Sequence, residues 1–179
     1  MLRRLLKAKG YIVNNYGTET HSELFGFEGY YPLEMDLSVK FPQQEMIPFI
    51  QGDIRRIEIM NHPDILIAGG QSGTIPHSYA LKSSEYTLPT LMFLMATLPH
   101  AYILVINPND ELDYIEDTIR VMESLGKGKV VAITCSKHYK KLRPNSDSTV
   151  NEELSYIEFT NLRSKVFQEF GLYCLFYMT

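Results

Sequence analysis

Cysteine is scarce in this chain. Its 179 residues hold two, Cys135 and Cys174, too few for a disulfide framework. Both fall in or at the end of apolar, strand-like runs, so buried free thiols in a reducing cytoplasm are expected. Strong charge of either sign is missing as well. The 17 Lys and Arg against 21 Asp and Glu leave a net charge of -4, which argues against a general nucleic-acid binder. The basic opening Leu2-Arg3-Arg4-Leu5-Leu6-Lys7 leads into no long apolar region and no small-residue cleavage site, so no signal peptide is read there. No acidic or basic residue falls between Glu85 and Asp110, but Pro89, Pro99, His100 and Asn107 interrupt that stretch. A short buried helix followed by a buried strand explains it better than a membrane span. Internal repeats, low-complexity tracts and linkers are lacking too.

What is present is ordinary globular material, 45% apolar and 21% charged, long enough for one domain with a real core. Leu2, Leu5 and Leu6 recur at helical spacing and Lys9-Gly10 closes that helix. A strand begins at Tyr11-Ile12-Val13. Residues 17–41 read as a long loop whose aromatics (Phe25, Phe27, Tyr30, Tyr31, Phe41) pack it down. Gln43 to Asn61 is an amphipathic helix with Met46, Ile47, Ile50, Ile54, Ile57 and Met60 on one side. The unalternating apolar strand Asp64–Ala68 is expected to be buried on both faces, as in a helix-covered parallel sheet. A helix near Leu88–Thr97, a second fully apolar strand Ala101–Ile106 and a helix Asp110–Leu125 follow. Asn109 or Asp110 is the natural N-cap of that helix and Gly126 its stop. Lys129–Thr134 is the next strand. A polar loop then reaches Thr149, which with Glu152 makes a capping box for a last helix ending at Phe170-Gly171, and Leu172–Tyr177 is the final strand. Strict α-β alternation predicts a three-layer, doubly wound α/β fold with a mainly parallel sheet of about five strands, in a single domain over residues 1–179.

The strand ends carry the functional signal. They read Tyr16-Gly17-Thr18-Glu19, Gly69-Gly70-Gln71-Ser72-Gly73-Thr74, Asn107-Pro108-Asn109-Asp110, Thr134-Cys135-Ser136-Lys137 and Met178-Thr179. In open parallel sheets, ligands bind outside the carboxyl ends of the strands. The ligand-binding candidates are therefore Gly17, Thr18, Gly69, Gly70, Gln71, Ser72, Gly73, Thr74, Asn107 and Lys137. Glycines after the Asp64 strand let backbone amides approach an anion closely, and the alternative is a tight turn that needs positive φ. Ser72 is no nucleophile elbow, because Thr74 stands where the second glycine belongs and no acid and histidine complete a triad.

Thr18 to Glu23 is dense in chemical groups. In an extended segment Glu19, His21 and Glu23 share a face suited to a divalent metal, against the plainer reading of a solvated loop. Glu19 and His21 are the candidates for acid–base work, though no catalytic residue is assigned and no metal site is expected. Lys127, Lys129, Lys137, Lys140, Lys141 and Arg143 form a basic stretch with no acid between Glu123 and Asp147. It can hold phosphate at a strand end or simply be a solvated loop. His62 and His77 flank the glycine loop and His100 sits at a helix–strand turn; each reads as structural.

Taken together, Leu2 to Tyr16, Gly17-Thr18-Glu19 and Asp64 to Pro76 resemble parts of the P-loop NTPases of the class that includes dethiobiotin synthetase, cobyrinate amidases and MinD-like proteins. A nearer resemblance is to a bacterial family of unknown function with a P-loop domain at its C-terminal end, some relatives of which are described as D-glutamate N-acetyltransferases. Leu2 to Tyr16 looks like the end of the helix after the phosphate loop plus the next strand. Gly17-Thr18-Glu19 resembles the switch-like loop, and Asp64 to Pro76 the strand and glycine loop written Glu-Gly-x-Gly-Gly in the synthetases. The resemblance implies a nucleotide- or phosphate-binding domain, with ATP or GTP and Mg²⁺ as cofactors in a complete protein, or CoA for an acyltransferase-like enzyme.

Two parts of that pattern are missing. No Gly-x-x-x-x-Gly-Lys-Ser/Thr occurs in the chain, and Gly69 stands where the glycine loop's acid belongs. Phosphoryl transfer loses its main electrostatic parts without them, so an active NTPase is not expected of this chain alone. In the resembled class the missing first strand lies beside the Asp64 strand. Three explanations stand open: a truncated or split family member, a partner chain or homo-oligomer that supplies a strand, or strands that close up in another order. The first is the expectation carried forward. A non-catalytic regulatory module that docks through the aromatic loop at Phe25–Tyr31 is the alternative from a different class.

Overall fold

The computed structural model describes residues 2–31, 43–70, 73–76, 87–142 and 149–177. The chain is mixed α/β, and its main sheets are entirely parallel. It forms two compact units, Met1–Pro99 and His100–Thr179.

Unit 1 opens with helix α1 (Leu2–Ala8), which ends at Gly10 in the left-handed conformation (φ 93°). Strand β1 (Val13–Gly17) follows, then a short 3₁₀ helix (Thr20–Phe25) and strand β2 (Gly29–Tyr30). Helix α2 (Gln43–Asn61), strand β3 (Ile65–Ala68) and helix α3 (Thr87–Thr97) complete the unit. The sheet order is β2-β1-β3. Central β1 buries Val13, Asn14, Tyr16 and Gly17, so it is enclosed on both faces as a parallel strand should be. The core gathers Tyr16, Tyr31, Met46, Ile50, Ile57, Phe93 and Ala96, with Leu66 and Ala68 of β3 packed against it. The α2 positions Met46, Ile50 and Ile57 fall on one helical face, which is why this amphipathic segment docks where it does. Met60, expected on that face, is exposed at the helix end.

Unit 2 contains β4 (Ala101–Ile106), α4 (Leu112–Leu125), β5 (Lys129–Ser136), the hairpin strands β6 (His138–Leu142) and β7 (Thr149–Glu153), α5 (Tyr156–Phe170) and β8 (Cys174–Tyr177). The parallel sheet runs β4-β5-β8, and β6 pairs β7 antiparallel. Tyr102, Leu104, Ile106, Val130, Ile133, Cys135 and Cys174 are buried, as are Ile115 and Met122 of α4 and Phe159 and Val166 of α5. Cys135 and Cys174 are free, buried thiols on neighbouring strands. Burial, with Cys174 alongside, pushes the Cys135 thiol up to about 12.

Several local expectations are corrected. Neither fully apolar strand is buried on both faces: Ile65–Ala68 of β3 are all only half-buried, and in β4 Ile103 is 45% and Val105 61% exposed. With Val131 of β5 and Leu175 of β8, also exposed, Ile103 and Val105 give the β4-β5-β8 sheet an apolar face that no described residue of unit 2 covers. Thr149 and Glu152 make no capping box, because β7 pairs them with Leu142 and Tyr139 of β6. The box that starts α5 is Ser155 with Glu158. Asp110 does not cap α4: Glu111 holds the cap position, while Asp110 accepts a hydrogen bond from the Asn107 backbone N–H. The long loop after Gly17 contains the 3₁₀ helix and β2, and its Phe25 is 76% exposed rather than packed down. Phe41 lies outside the described residues.

Candidate ligand-binding edge

Parallel pairing brings two of the glycine-bearing strand ends together. β1 and β3 run in register from Val13 with Ile65 to Tyr16 with Ala68. The Gly69 N–H then donates to the Tyr16 carbonyl at 2.9 Å, extending the ladder by one step. Gly17-Thr18 and Gly69-Gly70 therefore leave the sheet side by side at its carboxyl edge, within unit 1. Gln71 and Ser72 lie outside the described residues; Gly73 is exposed and Thr74 buried.

The glycines at this edge differ in what fixes them. At Gly17 an added Cβ would run into Ser22 Oγ and lie 3.0 Å from the Phe27 ring, so close packing of the returning loop requires a glycine. Gly69 and Gly70 are exposed, and neither adopts the left-handed backbone. Among the described residues, a Cβ at Gly69 would meet nothing within 4 Å, and one at Gly70 only Phe93 at 3.9 Å. Neither glycine has the positive φ of the tight-turn explanation, and among the described residues packing does not demand a glycine at either position.

The segment from Gly17 to Phe27 forms a lip on the same edge. Ser22 N–H donates to the Glu19 carbonyl, and Gly26, left-handed at φ 74°, closes the 3₁₀ helix with its N–H on Glu23. Phe27 N–H returns to the Ser22 carbonyl. Thr18 and Ser22 are buried, Glu19 is half-buried and His21 is exposed. The shared face expected of Glu19, His21 and Glu23 does not form. In a 3₁₀ helix residues three apart align, which spreads alternate residues around the axis. No group of three His, Cys, Asp or Glu able to hold a metal occurs among the described residues.

Behind the edge, Tyr16 is fully buried and stacks on Phe93 at 6.2 Å. Burial, then the Asp53 carboxylate, holds its hydroxyl far above the ordinary phenol range. It is a core residue beneath the site rather than a proton donor within it.

The two remaining candidates share the carboxyl edge of the other sheet, in unit 2. β4 pairs β5 up to Ile106 with Cys135, so Asn107 and Lys137 follow adjacent strand ends. Both are engaged by acids. Asn107 N–H donates to Asp110 Oδ2 at 2.8 Å, and Lys137 pairs with Glu153, whose carboxyl that ammonium lowers. Beside Glu153, Glu152, also of β7, accepts the Tyr139 hydroxyl at 2.8 Å and pushes that phenol up to about 12. Glu152 and Glu153 could not be foreseen as partners, because the acids of β7 reach this segment only through strand pairing with β6. His62 is exposed just past α2, and His100 is exposed at the start of unit 2; His77 lies outside the described residues.

Compared with protein-family models and with the curated proteins, the chain gives no match.

Proposed function

We propose that unit 1 binds a small phosphate-bearing ligand, of the nucleotide or CoA type, at the carboxyl edge of β1 and β3, and that this chain alone does not hydrolyse nucleotides. The observation that carries the reading is the pair Gly69-Gly70. Exposed glycines that neither backbone conformation nor packing among the described residues explains, at a strand end of the kind where ligands gather, are suited to letting an anion approach the main chain. Thr18 and Thr74, both buried, follow the ends of β1 and β3, and the Gly17–Phe27 lip bounds one side. The missing Lys and hydroxyl of a phosphate loop argue against phosphoryl transfer.

The same geometry supplies a clean test. Substituting Gly69 by Val adds bulk on the outer side of the backbone, where a Cβ meets nothing. Folding is retained while ligand approach is blocked. Thermal unfolding is followed with pyrophosphate, ATP, GTP and CoA, with and without Mg²⁺. A ligand at about a hundred times its Kd stabilises by about 2.7 kcal/mol, and a chain of this size shifts its Tm by about 2–4 °C per kcal/mol. The expected result is a shift in the wild type that disappears in Gly69→Val. No shift with any ligand, or an equal shift in the variant, refutes the reading. A CoA-only response selects the acyltransferase-like alternative.

A second reading is favoured by β3. It is the last strand of its sheet among the described residues, and Ile65-Leu66-Ile67-Ala68 carries no charge or proline to discourage pairing. We propose that this edge accepts a strand from a partner or a second copy of the chain, in keeping with a regulatory or interaction module. Sedimentation that shows only monomer across a broad concentration range opposes the homo-oligomeric form.

A further inference from the structure

Resting on the ligand edge proposed above, we infer that Arg3 and Glu28 are positioning residues that clamp the Gly17–Phe27 lip in place and so set how tightly the edge holds its ligand. The lip leaves the sheet at Gly17 and returns at Gly29. Its return is held by backbone bonds from Glu28 N–H to the Asn15 carbonyl at 3.0 Å and from Tyr31 N–H to the Gly17 carbonyl at 2.9 Å. The side-chain clamp is built on Glu28. One carboxylate oxygen accepts the Asn15 backbone N–H at 2.6 Å, which fastens it to β1, and the other pairs with the Arg3 guanidinium. A second nitrogen of Arg3 donates to the carbonyl of Gly26, the residue that caps the lip's 3₁₀ helix. A single guanidinium therefore grips both the end of that helix and the acid that anchors the lip to the central strand. From α2, Arg56 donates to the Glu28 carbonyl at 3.4 Å while pairing with Asp53 at 2.6 Å.

The burial pattern sets this contact apart from incidental packing. Helix α1 has no buried residue, and its Leu5 is 56% exposed, yet the Arg3 and Glu28 side chains are only 20% and 22% exposed. What ties α1 to the lip is thus polar and directional. It also needs arginine: a planar fork reaches two acceptors at once, whereas an ammonium is a single point charge.

The test uses the full chain with Arg3→Lys and Glu28→Gln. Amide hydrogen exchange is read across residues 18–27, with the amides of β3 and α2 as internal reference, and pyrophosphate binding is measured by calorimetry. In Arg3→Lys, lip exchange should accelerate by about tenfold or more while the reference amides stay unchanged. Pyrophosphate affinity should fall on the order of tenfold. Glu28→Gln keeps an acceptor for the Asn15 N–H but turns an amide N–H toward the Arg3 guanidinium and loses the ion pair that Arg3→Lys keeps, so it should loosen the lip at least as much as Arg3→Lys. Unchanged lip exchange in both variants overturns the clamp. Faster exchange with unchanged affinity overturns its positioning role. If the wild type binds no pyrophosphate, the ligand edge fails, and with it the affinity role, while the exchange result still decides whether the clamp exists.

Discussion

A methyl group added at Gly29 tests the packing behind the proposed edge. Gly29 lies in β2 opposite Tyr16 of β1. A Cβ there would sit 2.6 Å from Asp53 Oδ2 and 2.8 and 2.9 Å from two Tyr16 ring carbons. Neither neighbour can easily give way. The Tyr16 ring is fully enclosed and stacked on Phe93, and Asp53 is held by two Arg56 nitrogens at 2.6 and 2.9 Å. Forcing a methylene-sized group into a packed site costs about 1–3 kcal/mol. Replacing glycine also removes freedom from the unfolded chain, which offsets about 0.4–1 kcal/mol. The net expectation for Gly29→Ala is a loss of about 1–2 kcal/mol, or a Tm lower by roughly 2–8 °C at about 2–4 °C per kcal/mol. Gly69→Ala is the matched control, since its Cβ meets open space and its backbone is outside the left-handed region. It should be neutral or stabilising by up to about 1 kcal/mol. Scanning calorimetry on the two variants decides the matter. A Gly29→Ala protein that melts at or above the wild type would show that the β2–α2 contact is not close-packed, and the reasoning would fail.

Other expectations follow from single features. Ser155 accepts the Glu158 N–H at 3.3 Å in the α5 capping box, so Ser155→Ala should cost about 1 kcal/mol, seen as a lower urea midpoint, and Ser155→Gly only a few tenths. His62 is exposed and left-handed at φ 44° where α2 ends, so His62→Gly should raise stability by about 0.5–1 kcal/mol in the same assay. Cys135 titrates near 12 when folded, against about 8.5 in an unfolded chain. The raised value means its contribution is complete below the unfolded pKa and is lost as pH climbs toward the folded one, at up to about 1.4 kcal/mol per pH unit. Urea midpoints at about pH 8 and about pH 10 should therefore converge in Cys135→Ala relative to wild type; an unchanged difference would refute burial as the cause.

The long elements were legible because their signals are local. Gln43–Asn61 carries its own helical stripe, and Gly10 and Gly171 close helices in the left-handed conformation that glycine suits. The apolar runs at Ile65–Ala68, Ala101–Ile106 and Cys174–Tyr177 announced strands. Elements made by pairing rather than by pattern were not legible. β2 is two residues long and exists because Gly29 and Tyr30 fall opposite Tyr16 and Gly17. The β6–β7 pair sets a basic segment against an acidic one, and neither alternates like a half-buried strand. Two Ser/Thr-x-x-Glu pairs lie close together before α5, and spacing alone favours neither; the first is taken up by β7. At the site, parallel-sheet logic was enough to bring Gly17 and Gly69 to one edge. It could not reveal that Glu153 engages Lys137 or that Arg3 reaches the lip, because those contacts depend on how distant segments fold back, and the Asp110 contact with Asn107, only three residues away, was missed because Asp110 reads as a helix cap.

The uncovered face of the β4-β5-β8 sheet governs how residues 100–179 would behave in a tube. Ile103, Val105, Val131 and Leu175 carry no ionisable group, and Lys129, opposite Ala101, brings charge only to one end of that face, so pH and salt give little control over copies that meet there. A fragment cut to this unit should be kept dispersed by dilution, by mild detergent or by one charged residue at Val105. Changes confined to that face would register in solubility before they registered in the melting curve.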